Sequence, residues 1–201
     1  MFHLVKITDL VQIKPIDFGK PSYDAIEDNI HEKYSNKVQQ NIGLYICLWD
    51  ILFATEGLIG EGDGMANVNV EFRMVVFRPY KDEIIIARIG KQTAQGIQLR
   101  TDFFEDIWVP DYELPDGSEF LPNENDGQGL WVWEEDETKL YFDMNEIVRL
   151  RVLFEEWNDQ APTKPREESA DVVAPTTDVK PPYRIIGSMK EPGLGCFLWW
   201  D

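Results

Sequence analysis

Residues 68–89 run Val68-Asn69-Val70-Glu71-Phe72-Arg73-Met74-Val75-Val76-Phe77-Arg78-Pro79-Tyr80-Lys81-Asp82-Glu83-Ile84-Ile85-Ile86-Ala87-Arg88-Ile89, and two architectures meet inside them. Val68, Val70, Phe72, Met74 and Val76 recur every second residue, the period of a strand with one buried face. Arg78-Pro79-Tyr80 ends that strand, because proline has no N–H for a ladder. From Glu83 a different rhythm starts. Ile84–Ile89, Ile97–Thr101, Asp106–Val109, Trp131–Glu134, Lys139–Phe142 and Ile147–Phe154 are short strands with turn residues between them, and they predict a small β-barrel. The chain therefore divides near Tyr80–Asp82, into residues 1–80 and 81–201.

Upstream of the break, Phe2 to Ile13 predicts a first strand. Pro21-Ser22 starts a helix over about Tyr23–Lys37, with Ser22 as its cap and Tyr23, Ile26, Ile30 and Tyr34 as its apolar stripe. Gly43 to Phe53 is apolar on both strand faces, with Leu44, Ile46 and Leu48 on one and Tyr45, Cys47 and Trp49 on the other. Such a strand is central or covered by another protein. The four glycines between Gly57 and Gly64 predict a long turn without regular structure. Downstream, Asn158 to Pro182 is rich in proline, acids and small residues and predicts a flexible insertion. Order returns at Tyr183–Ile186, and the apolar ending Cys196-Phe197-Leu198-Trp199-Trp200 is expected to dock back on the barrel.

The 201 residues are 43% hydrophobic and include seven tryptophans, enough for a packed core, and the formal charge is −18. Residues 1–80 contribute 7 Lys/Arg against 11 Asp/Glu, and residues 81–201 contribute 12 against 26. That balance excludes a protein that coats duplex nucleic acid by bulk charge, although a local basic stripe stays possible. Cys47 and Cys196 form no Cys-x-x-Cys pair and His3 and His31 complete no ligand set, so buried reduced thiols and no metal or cofactor are expected. Met1–Leu10 lacks a signal-peptide pattern, and Ile42–Ala54 is too short to span a bilayer, so a soluble protein is expected. The Gly57–Gly64 turn lacks the Gly-Lys-Ser/Thr ending of a phosphate loop, and the acids Glu134–Glu137 read as a solvated turn. No nucleophile–base arrangement suggests catalysis.

Lys33-Tyr34-Ser35-Asn36-Lys37-Val38, Asn41-Ile42-Gly43-Leu44-Tyr45-Ile46-Cys47-Leu48-Trp49-Asp50, Gly62-Asp63-Gly64 and Val70–Pro79 resemble the N-terminal half of RNA polymerase stalk subunits of archaea and eukaryotes. Thr93-Ala94-Gln95-Gly96-Ile97, Phe103–Pro110, Glu137–Glu146, the acidic proline-rich insertion and Gly193-Leu194-Gly195 with Trp199-Trp200-Asp201 are similar to the polymerase III version, the larger subunit of its stalk. The resemblance implies an α+β, ferredoxin/RNP-like tip domain followed by an all-β, S1-type OB-fold barrel. It further implies a nuclear, non-catalytic subunit that supports initiation on tRNA and 5S rRNA genes. The implied partners are a small helical stalk subunit, polymerase III core subunits, initiation factors and nascent single-stranded RNA. A polymerase II stalk subunit and a free-standing OB-fold RNA-binding protein are the alternatives.

The residues offer three candidate surfaces. On the barrel, Arg149 and Arg151 share one strand face while Val148, Leu150 and Val152 point inward, and Gln98 and Arg100 share another. With Arg88 and Lys91 they form the cationic part of an RNA face, and Phe103 and Phe104 are the stacking platforms, Trp108 being assigned to the core. By resemblance, the turn holding Gly57, Leu58, Ile59, Gly62, Asp63 and Gly64 docks on the polymerase core. Phe2, Leu4, Tyr45, Cys47 and Trp49 are the expected contacts of the small stalk subunit.

Overall fold

The computed structural model describes residues 1–60, 62, 64–122, 129–135, 138–159 and 180–200. Asp63 and residues 160–179 of the insertion, both singled out in the sequence, lie outside the described residues, as do two of the four acids of Glu134–Glu137. The chain divides into two compact units, Met1–Pro79 and Tyr80–Asp201.

The first unit contains β1 (Phe2–Ile13), α1 (Ser22–Tyr34), β2 (Val38–Gln39), β3 (Gly43–Ala54), β4 (Leu58–Ile59) and β5 (Ala66–Phe77). Within the expected α+β class the order is strand–helix–strand–strand, α1 being the one α-helix among the described residues. The sheet order is β1-β5-β3-β2, antiparallel, and β4 pairs with the start of β5. Val68, Val70, Phe72, Met74 and Val76 are buried and meet Ala25, Ile26 and Ile30 of α1. The helix differs from expectation at both ends. Ser22 is its first residue and Pro21 precedes it with no side-chain cap, while Ser35 is extended and Asn36 is left-handed (φ 58°), which ends the helix early. Tyr23 faces solvent.

The expected alternation along β3 is overturned. Its ladder to β5 slips between Tyr45 and Cys47, between Leu48 and Asp50, and between Ile51 and Phe53. Each bulge inserts one residue and re-aims the next, so the period becomes three. Tyr45, Leu48 and Ile51 pair with the inward residues Val76, Met74 and Phe72, whereas Cys47, Asp50 and Phe53 pair with Val75, Arg73 and Glu71. The turn from Gly57 is not wholly irregular either, because Leu58 and Ile59 form β4.

The second unit contains β6 (Ile84–Thr93), β7 (Gly96–Arg100), β8 (Ile107–Pro110), β9 (Ser118–Pro122), β10 (Gly129–Glu135), β11 (Thr138–Tyr141), β12 (Ile147–Trp157), β13 (Tyr183–Ser188) and β14 (Gly195–Cys196). Strands β6, β7, β8, β13 and β12 close a five-strand barrel through the β12–β6 and β12–β13 ladders, with β13–β8 the parallel pair. Ile85, Ile89, Ile97, Leu99, Ile107, Val148, Leu150, Val152 and Ile185 are buried within this unit. Gly96 has φ 144°, and a Cβ there would sit 2.2 Å from the Val109 carbonyl, so only glycine closes this hairpin.

Two strands expected in the barrel are elsewhere. β10 and β11 join β9, which the sequence did not suggest, in a separate three-stranded sheet ordered β11-β10-β9. Gln92 ties it to the barrel: its buried amide donates to the Phe142 carbonyl and accepts from the Trp131 N–H. The chain end adds the short β14 to β12, then packs Trp199 against Phe142 (4.6 Å) and Trp133 (5.2 Å). Asn158 joins the two ends of the insertion, its N–H and side-chain amide donating to the carbonyls of Pro182 and Pro181. Among the described residues no helix is long and apolar enough to cross a membrane.

Candidate nucleic-acid and protein interfaces

Strand register decides which barrel residues meet. Lys91 lies opposite Gln98, Gln98 opposite Trp108, and Trp108 opposite Ile186, so one row crosses β6, β7, β8 and β13. The row lines an open concavity of about 760 Å³, shared with Tyr112, Phe154, Lys180 and Arg184. Gln98 donates to the Glu105 carbonyl at 3.1 Å. Asp106 also lines the hollow. Burial pushes its carboxyl above the ordinary carboxylate range, while the Arg184 charge opposes that rise. The next row sets Arg88 opposite Arg100. Asn145, left-handed at φ 67°, engages both: its side-chain oxygen accepts from Arg100 at 2.8 Å and its carbonyl from Arg88 at 3.5 Å.

Other sequence candidates are not brought to this hollow. Arg149 lies 4.0 Å over the Phe197 ring, and Arg151 pairs with Glu191 at 2.7 Å with its Nε buried and lacking a hydrogen-bond partner. Phe104 is no platform. It is 6% exposed and packs 5.5 Å from the Tyr183 ring, whereas Phe103 is exposed. Trp108, assigned to the core, is half-buried and lines the hollow. Arg184 was missed although legible, since its neighbours Tyr183 and Ile185 both point inward.

In the first unit, Leu58 (74% exposed) and Ile59 project from the hairpin whose glycines Gly62 and Gly64 take positive φ. Phe18 and Gly57 line one small cavity of about 290 Å³, so the 3-10 turn Pro15–Asp17 sits beside that hairpin. Ile16 within it is 87% exposed. The outward row of the sheet carries Phe2, Leu4, Cys47 and Trp49, all exposed, together with Leu52 and Phe53. Tyr45 is corrected: at 4% exposed it belongs to the core, because its place opposite the inward Val76 turns it inward, and the first bulge then sends Cys47 to the other face. Cys47 was expected buried and is exposed, while Cys196 is buried.

A family model described as "RNA polymerase III subunit Rpc25" matches residues 83–200. The chain belongs to the Rpc25 family. A second model, "SHS2 domain found in N terminus of Rpb7p/Rpc25p/MJ0397", matches residues 8–64. DNA-directed RNA polymerase III subunit rpc8 of Schizosaccharomyces pombe is 37% identical across the whole of both chains. The Bos taurus subunit RPC8 is 37% identical over all of this chain and 98% of its own. A polymerase II subunit, RPB7 of Glycine max, is 26% identical over 64% of this chain and 74% of its own. The Rpc25 match thus takes in the barrel and the separate three-stranded sheet, and the SHS2 match takes in the bulged β3 and the glycine-rich hairpin. Among the described residues no group of three or more His, Cys, Asp or Glu side chains could hold a metal ion.

Proposed function

We propose that this Rpc25-family chain works as a non-catalytic stalk subunit of nuclear RNA polymerase III. The first unit docks on the polymerase core through Leu58, Ile59 and the glycines around them, and offers Phe2, Leu4, Cys47 and Trp49 to a small helical partner. Contiguous exposed apolar rows of this kind mark protein–protein contact sites. The barrel presents the hollow of Lys91, Gln98, Trp108 and Arg184 to nascent single-stranded RNA, cations following the backbone and rings lying under bases. With so acidic a chain, affinity for free RNA is low and the assembly supplies the remainder by effective concentration. Support for initiation on tRNA and 5S rRNA genes follows from that placement.

The observation that carries this reading is 37% identity to polymerase III subunits along the whole of this chain. Purification of the tagged chain from its own cells tests it. Recovery of the largest polymerase III subunit and one small helical protein in stoichiometric amounts is expected. The largest polymerase II subunit, or ribosomes alone, in their place would overturn it.

A further inference from the structure

The first unit holds a groove that neither proposed interface uses. β1 is an outermost strand of its sheet, laddered to β5 along one flank. Among the described residues no strand pairs with its other flank. The C-terminal half of α1 lies beside the end of that strand, and an open concavity of about 420 Å³ separates them. Lys33 and Tyr34 bridge it at one end, both donating to the Asp9 carboxylate. From Leu10 to Lys14 no hydrogen bond among the described residues reaches α1.

The charge of this groove is unlike that of the chain. Lys14, Lys33 and Lys37 line it against one lining carboxylate, Glu32, whereas the protein carries −18 overall. Lys33 is paired with Asp9, but Lys37 donates to a neutral acceptor, the Glu32 carbonyl, and makes no ion pair among the described residues. An open strand edge offers alternate N–H and C=O groups to an extended chain, and a helix beside the edge gives pockets for that chain's side chains. Rim cations then select the partner by charge. RNA suits the groove poorly. Its one ring, Tyr34, is half-buried, packed against Tyr45 (5.5 Å) and Phe72 (5.6 Å) and tied through its hydroxyl to Asp9, so it is not a free-standing stacking platform.

We propose that this groove takes an extended acidic segment of another protein, added as a strand along Leu10–Lys14 with its carboxylates against Lys14 and Lys37. The test uses the full chain, a fluorescent ten-residue peptide alternating Glu and Thr, and a ten-nucleotide oligouridylate. The peptide is expected to bind with salt-sensitive anisotropy and to protect the edge-facing amides of Leu10–Lys14, alternate ones along the strand, from hydrogen exchange. Lys14→Glu with Lys37→Glu, both at exposed positions, is expected to weaken it by about tenfold or more. No binding up to about 1 mM, equal binding by the charge-reversed chain, unprotected β1 amides, or equal competition by oligouridylate would each overturn the proposal.

Discussion

At the scale of single residues, charge and access divide the barrel's arginines into two kinds. Arg149 and Arg151 are held by Phe197 and Glu191, so releasing them to a ligand costs the contacts they already make. Arg184 lies on the hollow with Trp108. Trp108→Ala is therefore expected to weaken binding of single-stranded RNA by about 1–3 kcal/mol, the usual worth of one stacked base. The double change Arg149→Ala, Arg151→Ala is expected to lower thermal stability more than RNA affinity. Filter binding and melting curves on the same preparations check both, and equal RNA affinity in the Trp108 variant would remove the hollow from consideration. Asp106 adds a pH dependence. Its carboxyl titrates above the ordinary value of about 4 because it is partly buried. As pH falls through that raised value the hollow loses a negative charge while RNA phosphates keep theirs, so affinity rises. The stability sign agrees: a raised carboxyl favours the fold at low pH and loses that contribution as pH rises through it. Asp106→Asn is expected to flatten the affinity profile, and an unchanged profile would assign the effect elsewhere.

Elements carry the next set of effects. In β3 the three bulges let one strand fill the core with Tyr45, Leu48 and Ile51 while it exposes Trp49, Leu52 and Phe53. Substituting an exposed side chain leaves that register intact, so Trp49→Ala is expected to change stability by about 0.5 kcal/mol or less. Leu48→Asp instead places a charge on the inward row that the bulges create, opposite Met74, which is expected to cost several-fold more. Chemical denaturation of the two variants separates the cases, and equal midpoints would mean that the bulges do not turn Leu48 inward. Between α1 and β1 the Asp9 carboxylate is pushed up by burial, but bonds from Lys33 and Tyr34 outweigh this and hold it below its usual range. That contribution is present above about pH 4 and is lost as pH falls through the lowered value. Asp9→Asn is expected to make the acid-side stability of the first unit less steep.

For the whole molecule, each unit has its own core and its own exposed apolar or concave surface. Leu58→Asp with Ile59→Asp is expected to reduce recovery of polymerase III core subunits several-fold without lowering the melting temperature, since both side chains are exposed. Trp49→Asp is expected to reduce recovery of the small helical partner instead. Loss of both partners in both variants would argue against separate surfaces. Much of this organisation was legible in the residues themselves. Alternation in Val68–Val76 and in Val148–Val152 follows from the two-residue strand repeat, which needs no distant partner to be read. The break beside Pro79 and the ordered run of family motifs are likewise local. What only the tertiary structure decided depends on chain that is remote in sequence. Trp108 rather than Phe104 lines the hollow because Tyr183 covers Phe104, and β10–β11 leave the barrel because β9 and Gln92 claim them. The bulges of β3 exist only against β5, and the open edge of β1 only by virtue of its place in the sheet. Periodicity reports the conformation a segment prefers, whereas access and register are set by whatever packs against it.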